Sequence, residues 1–304
     1  MKNNFSASSS IVGLFSWSVR HWKQLLAAIV ILSAIAFAGH KLYLFYPYLN
    51  LPHVTAADLD ALDLDGYDKV MFVAHPDDDL LWGGRHLIED DYLVVCMTRG
   101  NDPVRSAEFK SVMEATGDKY LILSYPDKIG KDRSSWNYWK KDMEADITTV
   151  LNYKDWKQVA THNADGEYGH HHHQMTHQLV AEAYKETDCN ADFYSFGTYY
   201  VNDKVPYDLE EMPKDLYIQK RKLAKLYVSQ RTTVRKMYHM LPYEYWQKED
   251  FCLHFSNHKL TVPNLQYCKY RDEVVVRLVL HQVLNVLSLQ SKDILFLLVN
   301  VHLH

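Results

Sequence analysis

The middle of the chain alternates between short apolar runs and segments with a helical period. Apolar runs predict strands at residues 69–74, 92–98, 120–123 and 157–161. Between two of them, residues 105–116 place Phe109, Val112 and Met113 on one helix face, and Gly117 marks the end of that helix. Strands that alternate with helices are typical of the α/β class. We therefore predict a mostly parallel sheet flanked by helices.

A different pattern occupies the N-terminus, where residues 25–39 form an uncharged apolar run. The stretch 24–46 is close to the roughly 20 residues that span a bilayer, and His40 and Lys41 near its far end can reach the interface. A cleaved signal peptide is the main alternative. We favour an uncleaved transmembrane anchor, because the leader is long and no clear cleavage site precedes a polar mature start.

The charges around this stretch predict its orientation. Lys2, Arg20 and Lys23 precede it, and five aspartates lie between Asp58 and Asp68 after it. The positive-inside rule then puts the N-terminus in the cytoplasm. We expect a single-pass membrane protein whose globular part lies on the non-cytoplasmic side.

The predicted organisation has five parts: a cytoplasmic leader (1–23), the anchor (24–46), a linker (47–66), a catalytic domain (67–255) and a C-terminal segment of unknown role (256–304). The 304 residues, 47% hydrophobic and 23% charged with a net charge of −5, indicate one sizeable globular domain without a nucleic-acid surface. The apolar runs after Val274 are each too short to span a membrane. Cys252 and Cys268 can pair only in an oxidising compartment, which the sequence does not decide.

Metal chemistry is indicated where the first strand ends, at His75-Pro76-Asp77-Asp78. Proline stiffens the turn, so the imidazole and the carboxylates are aimed out of the strand end. Imidazole with carboxylate suits Zn²⁺ or another divalent ion, and a catalytic zinc site normally uses three protein ligands. Taken alone, the same four residues are also compatible with an ordinary polar turn.

The third ligand is expected in the histidine-rich stretch that follows the fourth predicted strand. Four consecutive histidines, 170–173, come after a glycine-rich turn. If a helix begins near Gly169, then His173 and His177 share one face, and His170 lies in the first turn. From the spacing, either His170 or His173 can complete the site, while an isolated histidine run is also a common adventitious metal binder.

Together these motifs resemble a known family. Residues Ala74-His75-Pro76-Asp77-Asp78 and Gly166-Glu167-Tyr168-Gly169-His170-x-x-His173 are similar to the signatures of the PIG-L/LmbE-like zinc-dependent N-acetylglucosaminyl de-N-acetylases. Arg105-x-x-Glu108 resembles the arginine motif of the family, and residues 222–230 resemble a later helix that ends in Ser-Gln. The resemblance spans about 67–230 and implies a Rossmann-like fold.

The resemblance also implies roles for individual residues. His75, Asp78 and His173 would hold Zn²⁺, and Asp77 would be the general base that activates metal-bound water. His170 would stabilise charge in the transition state, Tyr168 would help to polarise the amide carbonyl, and Arg105 would contact the substrate. An exposed ion pair with Glu108 is the alternative explanation for Arg105.

Two positions depart from the family pattern. Asp79 stands where the family usually has glutamate, and His171-His172 replace a Pro-Asp, Pro-Asn or Pro-Gln pair. The aspartate at 79 has a side chain one methylene shorter than glutamate, beside the proposed ligands. The histidine pair removes a possible acidic partner of His170. The aromatic stretch at Trp136 and Trp139 can form a sugar-stacking platform or part of the core, and we favour the core.

We therefore expect a membrane-anchored de-N-acetylase that acts on an N-acetylated amino sugar in a glycan or glycolipid. One alternative is a cytoplasm-facing enzyme acting on N-acetylglucosaminyl-phosphatidylinositol. Another is an inactive, membrane-tethered glycan-binding protein, and a third is a hydrolase of a non-sugar amide.

Overall fold

The structure is a computed structural model that describes residues 7–251, with side chains described from His21 onward except Lys23. Its two compact units have described parts at residues 7–47 and 48–251. The predictions for residues 252–304, including the apolar C-terminal runs and a Cys252–Cys268 pair, lie outside the described residues.

The first unit consists of helix α1 (Ala7–Phe45), which runs into a short 3₁₀ turn. The stretch Gln24–Tyr48, which covers the end of α1 and the 3₁₀ turn, is long and apolar enough to span a membrane, and a signal sequence would meet the same criterion. Leu32, Ile35 and Phe37 are exposed on this helix. The helix is therefore a candidate anchor.

The second unit alternates strands with helices, as predicted. The strands are β1 (Lys69–Val73), β2 (Tyr92–Thr98), β3 (Lys119–Tyr125), β4 (Lys128–Ile129), β5 (Asp132–Arg133), β6 (Gln158–Thr161), β7 (Asp192–Phe196) and β8 (Trp246–Glu249). The helices are α2 (Ala56–Asp60), α3 (Asp78–Glu89), α4 (Pro103–Thr116), α5 (Lys140–Leu151), α6 (Gly166–Gly169), α7 (His171–Glu186), α8 (Lys214–Leu223) and α9 (Arg231–Lys236).

Six of the described strands form one sheet in the order β3-β2-β1-β6-β7-β8. All neighbours are parallel except β7 and β8, which run antiparallel. The mixed α/β fold with a mostly parallel sheet flanked by helices is thus confirmed. The strands that follow β1 first extend the sheet on one side of it, as β2 and β3, and then on its other side, as β6 and β7. In open α/β sheets, ligands bind at such a switch point.

Local sequence explains the elements that frame this point. All seven residues of β2 are buried, as expected for a central parallel strand. Asp102 caps α4 by accepting from the amides of Val104 and Arg105, and Gly117 ends it with φ 93°. A Cβ atom on Gly83 would lie 2.6 Å from Cε of Met71, so the glycine lets α3 pack closely on β1.

The segment predicted as a linker is partly folded onto the second unit. Thr55 and Asp58 form a reciprocal capping box at the start of α2. The amide of Val54 donates to Asp146 in α5 at 3.0 Å, and Leu59 is fully buried. Residues 48–66 therefore pack with the sheet and its helices.

The helix predicted for residues 222–230 is wrong in its extent. Helix α8 ends at Leu223, a 3₁₀ turn follows, and Tyr227 leaves the helical path with ψ 64°. This path lets the Tyr227 hydroxyl donate to Asp79 at 2.7 Å, and it brings the amide of Ser229 to within 2.6 Å of the Glu108 carboxylate. These long-range contacts outweigh the helical preference of the sequence.

Candidate metal centre

The two predicted motifs meet at the switch point of the sheet. His75 lies two residues after the end of β1, and His162 directly follows β6, its neighbour. The second motif runs from there through α6 into α7. The carboxyl ends of two adjacent parallel strands thus place both groups of histidines and carboxylates at one edge.

The loop after β1 is held in a strained conformation. Asp77 has φ 132°, a left-handed backbone that an L-residue rarely adopts. The buried guanidinium of Arg105 donates to the carbonyl of Pro76, and it also donates to Oδ1 of Asp77 at 3.0 Å. The amide of Asp77 donates to Oδ1 of Asp79 at 3.0 Å. These contacts fix the Asp77 carboxylate beside Asp78.

Three side chains converge next to this carboxylate. Nδ1 of His75 lies 3.1 Å from Oδ2 of Asp78, and Nε2 of His173 lies 3.3 Å from Oδ1 of Asp78. Ligands about 2.1 Å from a tetrahedral zinc ion stand about 3.4 Å apart. Both distances therefore suit ligands that share one divalent ion, with Asp78 as the ligand between the two histidines.

Glu167 orients the histidine ligand. Its carboxylate accepts from Nδ1 of His173, from Nδ1 of His162 at 3.1 Å and from the amide of Asn163 at 3.0 Å. Positive φ values at Gly166 (68°) and Glu167 (56°) make the sharp turn that carries this carboxylate. Because Nδ1 of His173 donates to Glu167, its Nε2 faces Asp78, as in carboxylate–histidine–metal arrangements.

The charges agree with a cation position. Burial opposes a charged His173, yet Asp78 and Glu167 outweigh it and raise the pKa of His173 to about 10. Burial likewise opposes a charged Asp78, but His173 and His75 hold its pKa well below the usual range. In the metal-free chain a proton on His173 thus supplies positive charge that a divalent ion would replace.

Other groups of donors surround these three. Sets whose ligand atoms lie within 4.8 Å of one another are His75/His170/His173, His75/Asp127/His172 and Asp78/His162/His173. Nε2 of His162 accepts from the amide of Ala74 at 3.0 Å, which occupies its lone pair. His162 is therefore a support for Glu167 rather than a metal ligand.

The opposite side of the site is more open. The side chain of Tyr168 is 46% exposed, and its ring centre lies 5.8 Å from that of His170. Nδ1 of His170 is buried and has no hydrogen-bond partner among residues 7–251. Burial and the charges of His173 and His75 lower the pKa of His170 to about 2, so its ring is neutral at pH 7.

Comparisons with known proteins show which family the chain belongs to. The sequence model of the family described as "PIG-L: GlcNAc-PI de-N-acetylase" matches residues 70–184. The chain is also 30% identical over 196 residues to uncharacterized protein L374 of Acanthamoeba polyphaga mimivirus, covering 58% of this chain and 78% of that protein. The chain belongs to the PIG-L family. Membership supports a deacetylase-type hydrolase, in a family that is typically metal-dependent and acts on N-acetylated amino sugars.

Two solved structures are similar to this PIG-L protein. One is GalB, the 4-carboxy-2-hydroxymuconate hydratase of Pseudomonas putida, at 16% identity and a TM-score of 0.44, covering 57% of this chain and 84% of that one. The other is the conserved protein TT1542 of Thermus thermophilus, at 13% identity and a TM-score of 0.38, covering 66% and 98%.

The structure brings together the residues that the sequence singled out in this PIG-L chain. One site contains His75, Asp77, Asp78, His170 and His173, and Tyr168 lies at its rim. The alternative explanation for Arg105, an exposed ion pair with Glu108, is wrong, because both side chains are buried and have other partners. Arg105 binds Asp77, and the Glu108 carboxylate accepts from Ser229.

Sequence reasoning missed several residues that support the site. Glu167 lies within the second motif, but the sequence does not indicate what its carboxylate contacts. Asp127 follows β3 at the same edge of the sheet as His75, a signal that was available. Tyr227, which donates to Asp79 across 148 positions, gave no local signal. Trp136 and Trp139 are buried core residues, as favoured.

Proposed function

We propose that this PIG-L protein is a zinc-dependent hydrolase that removes the N-acetyl group from a GlcNAc-type amino sugar in a glycan or glycolipid. The observation that carries the proposal is the convergence of His75, Asp78 and His173 beside Asp77. The three side chains are the proposed metal ligands, and another divalent ion is compatible with the same donors.

The chemistry is assigned to residues of this chain. His75, Asp78 and His173 would hold a divalent ion, which would supply Lewis acidity toward the acetyl carbonyl and toward water when bound. The Asp77 carboxylate takes a proton from the attacking water and gives it to the sugar nitrogen as the carbon–nitrogen bond breaks. Acetate and a free amine are the products. In the metal-free chain, burial and the Asp78 charge raise the pKa of Asp77 to about 8 against the opposing effect of Arg105, and the positive charge of a bound ion would lower it again toward the range of a base.

The open side would contact the substrate. We assign His170 to stabilisation of the developing oxyanion as a neutral hydrogen-bond donor, and Tyr168 to the acetyl carbonyl. Arg105 was expected to contact the substrate, and that contact stays a prediction. Its bonds to Pro76 and Asp77 support an additional role in holding the base.

We further propose that residues 24–46 anchor the protein in a membrane, with 1–23 in the cytoplasm and the catalytic domain on the non-cytoplasmic side. Support comes from the apolar length of α1 and from the charge difference across it. Cysteine labelling at introduced positions before and after the segment, in sealed vesicles, tests the orientation. Protection of the catalytic domain from an external reagent in intact cells would favour the cytoplasm-facing alternative.

The function is tested with the full chain in detergent. Wild type should contain nearly one zinc per chain and release acetate from N-acetylglucosaminyl glycosides or N-acetylglucosaminyl-phosphatidylinositol. His75→Ala and His173→Ala should lose the metal. Asp77→Asn should keep the metal but lose about 10²- to 10⁴-fold in kcat. Asp188→Asn makes the same change at an exposed aspartate beyond the C-terminal end of α7 and should match wild type.

The same experiment distinguishes the alternatives. Glycan binding that is unchanged in Asp77→Asn, without amine release by wild type, would identify a binding protein and overturn the enzymatic proposal. Release of acetate only from non-sugar amides would overturn the substrate assignment. Zinc that is lost only with His173 would point to an adventitious histidine site.

A further inference from the structure

We propose that His172 is a positioning residue that fixes the orientation and tautomer of His75, so that Nδ1 of His75 faces the metal position. The inference rests on the proposed metal-dependent function. His172 stands where the family resemblance led us to expect an acidic or amide residue, and its side chain is fully buried. Its contacts show what the imidazole does there.

Hydrogen-bond polarity determines the arrangement in two steps. Nε2 of His172 lies 2.7 Å from the carbonyl oxygen of Ser134, which can only accept, so this nitrogen carries the proton. Nδ1 of His172 then has the lone pair. It lies 3.0 Å from Nε2 of His75, which must be the donor in that bond. Nδ1 of His75 is then the nitrogen that faces Oδ2 of Asp78, at 3.1 Å, and a proton that it shares with this carboxylate is the one that a metal ion would replace.

The His172 ring is itself held in place. It stacks on Trp136 with ring centres 4.0 Å apart and an angle of 8° between the planes. Trp136 is completely buried, with φ 60°, and its indole donates to the carbonyl of Pro126 at 2.8 Å. A tryptophan in a left-handed conformation is costly, and the contacts around it stabilise that backbone. The segment 126–136 therefore acts as a support for the His172 plane.

Asp127 is a second, more distant acceptor. Its Oδ1 lies 3.5 Å from Nε2 of His75 and 3.4 Å from Arg133, while Oδ2 accepts from Arg99. A carboxylate usually accepts the second proton of a metal-bound histidine. In this chain the nearest acceptor is Nδ1 of His172 at 3.0 Å, whereas Oδ1 of Asp127 lies 3.5 Å away and both Asp127 oxygens also contact arginines.

The test measures zinc affinity of the full chain in detergent by competition with a chelator. His172→Phe keeps the ring and its stack on Trp136 but removes both hydrogen bonds, and should weaken zinc binding about 10- to 100-fold. His172→Asn can place an oxygen acceptor near the former Nδ1 and should recover most of the affinity. His171→Phe makes the same change at the exposed neighbouring position and should bind like wild type.

Nitrogen chemical shifts of histidine-labelled, zinc-loaded wild type give a readout that needs no variant to fold. His172, assigned by its loss in His172→Asn, should be the Nε2–H tautomer. An Nδ1–H tautomer, or equal zinc affinity in wild type and folded His172→Phe, would overturn the proposal. So would two zinc ions per wild-type chain with one lost in His172→Phe, because His172 would then be a ligand.

These outcomes are separate from those of the proposed function. A weaker zinc affinity in His172→Phe, together with no acetate release by wild type, would retain the positioning role and reject the deacetylase. Acetate release by wild type, together with unchanged zinc affinity in His172→Phe, would retain the deacetylase and reject the positioning role.

Discussion

The two sides of the site differ in how firmly their side chains are held. We define the buried wall as His75, Asp78, His162, Glu167 and His173, and every one of these residues has polar partners within the chain. We define the open wall as Tyr168 and His170. Its phenol is exposed, and Nδ1 of its imidazole has no partner within the described part of the chain. The same stretch of sequence, 162–173, supplies residues to both.

This difference assigns separate tasks to the walls. A metal position needs donors whose orientation is fixed before the ion arrives, and Glu167 provides that for His173. A substrate position needs groups that are left to be satisfied by the ligand, and Nδ1 of His170 is such a group. Damage to the buried wall should therefore change metal affinity, and damage to the open wall should change turnover alone.

The largest effect that separates the walls is expected for His170→Ala. Loss of one oxyanion donor costs about 10²- to 10³-fold in kcat, while zinc affinity should stay within about twofold because His170 is not among the proposed ligands. Steady-state kinetics and chelator competition on the same preparation test this. A loss of zinc in His170→Ala would place His170 on the metal and erase the distinction between the walls.

The second-largest effect, on zinc affinity, is expected for Glu167→Gln on the buried wall. The amide cannot accept from both His162 and His173 as a carboxylate does, so zinc affinity should fall about 10- to 100-fold. At saturating zinc, kcat should recover more than in His170→Ala. Equal loss of kcat with and without excess zinc would show that Glu167 acts on the substrate instead.

Zinc affinity should also depend on pH. Because Asp78 and Glu167 raise the pKa of His173 to about 10 against burial, that ring is protonated in the metal-free chain at pH 7. Zinc must displace this proton, so apparent affinity should rise about tenfold per pH unit from pH 6 to 9. Calorimetry in two buffers of different ionisation enthalpy counts the proton. Affinity that is flat over this range would contradict the raised pKa.

The smallest effect is expected for Tyr168→Phe. The exposed phenol can add one hydrogen bond to the substrate, and loss of a net contribution of about 0.5 to 1.5 kcal/mol lowers kcat by about two- to tenfold. Zinc affinity should not change. A decrease as large as that of His170→Ala would show that the open wall depends equally on both side chains.

Much of this arrangement could be predicted because its signals are local. Continuous apolar runs gave β1 and β2 to within a residue, and the His-Pro-Asp-Asp turn directly follows β1. Parallel strands then bring their carboxyl ends to one edge, so two motifs about a hundred residues apart could be expected to meet. The proposed metal ligands belong to this predictable part of the site.

The supports could not be predicted, because they depend on long-range geometry. Nothing near Asp79 in sequence indicates that the Tyr227 hydroxyl reaches it, and α8 had to end early for that contact. The two histidines at 171 and 172 look equivalent in the sequence. The structure exposes the first and buries the second, between Trp136 and His75.

The Tyr227 contact also has a consequence for biosynthesis. A nascent chain that has emerged as far as β7 already contains every proposed metal ligand, yet it lacks the hydroxyl that donates to the buried Asp79 carboxylate. It also lacks Glu244, whose carboxylate accepts from the amides of Arg85 and His86 in α3. The histidines and carboxylates would thus be present on the ribosome before the helix that carries Asp78 is secured. Completion of the site is therefore expected to wait until translation has passed residue 244.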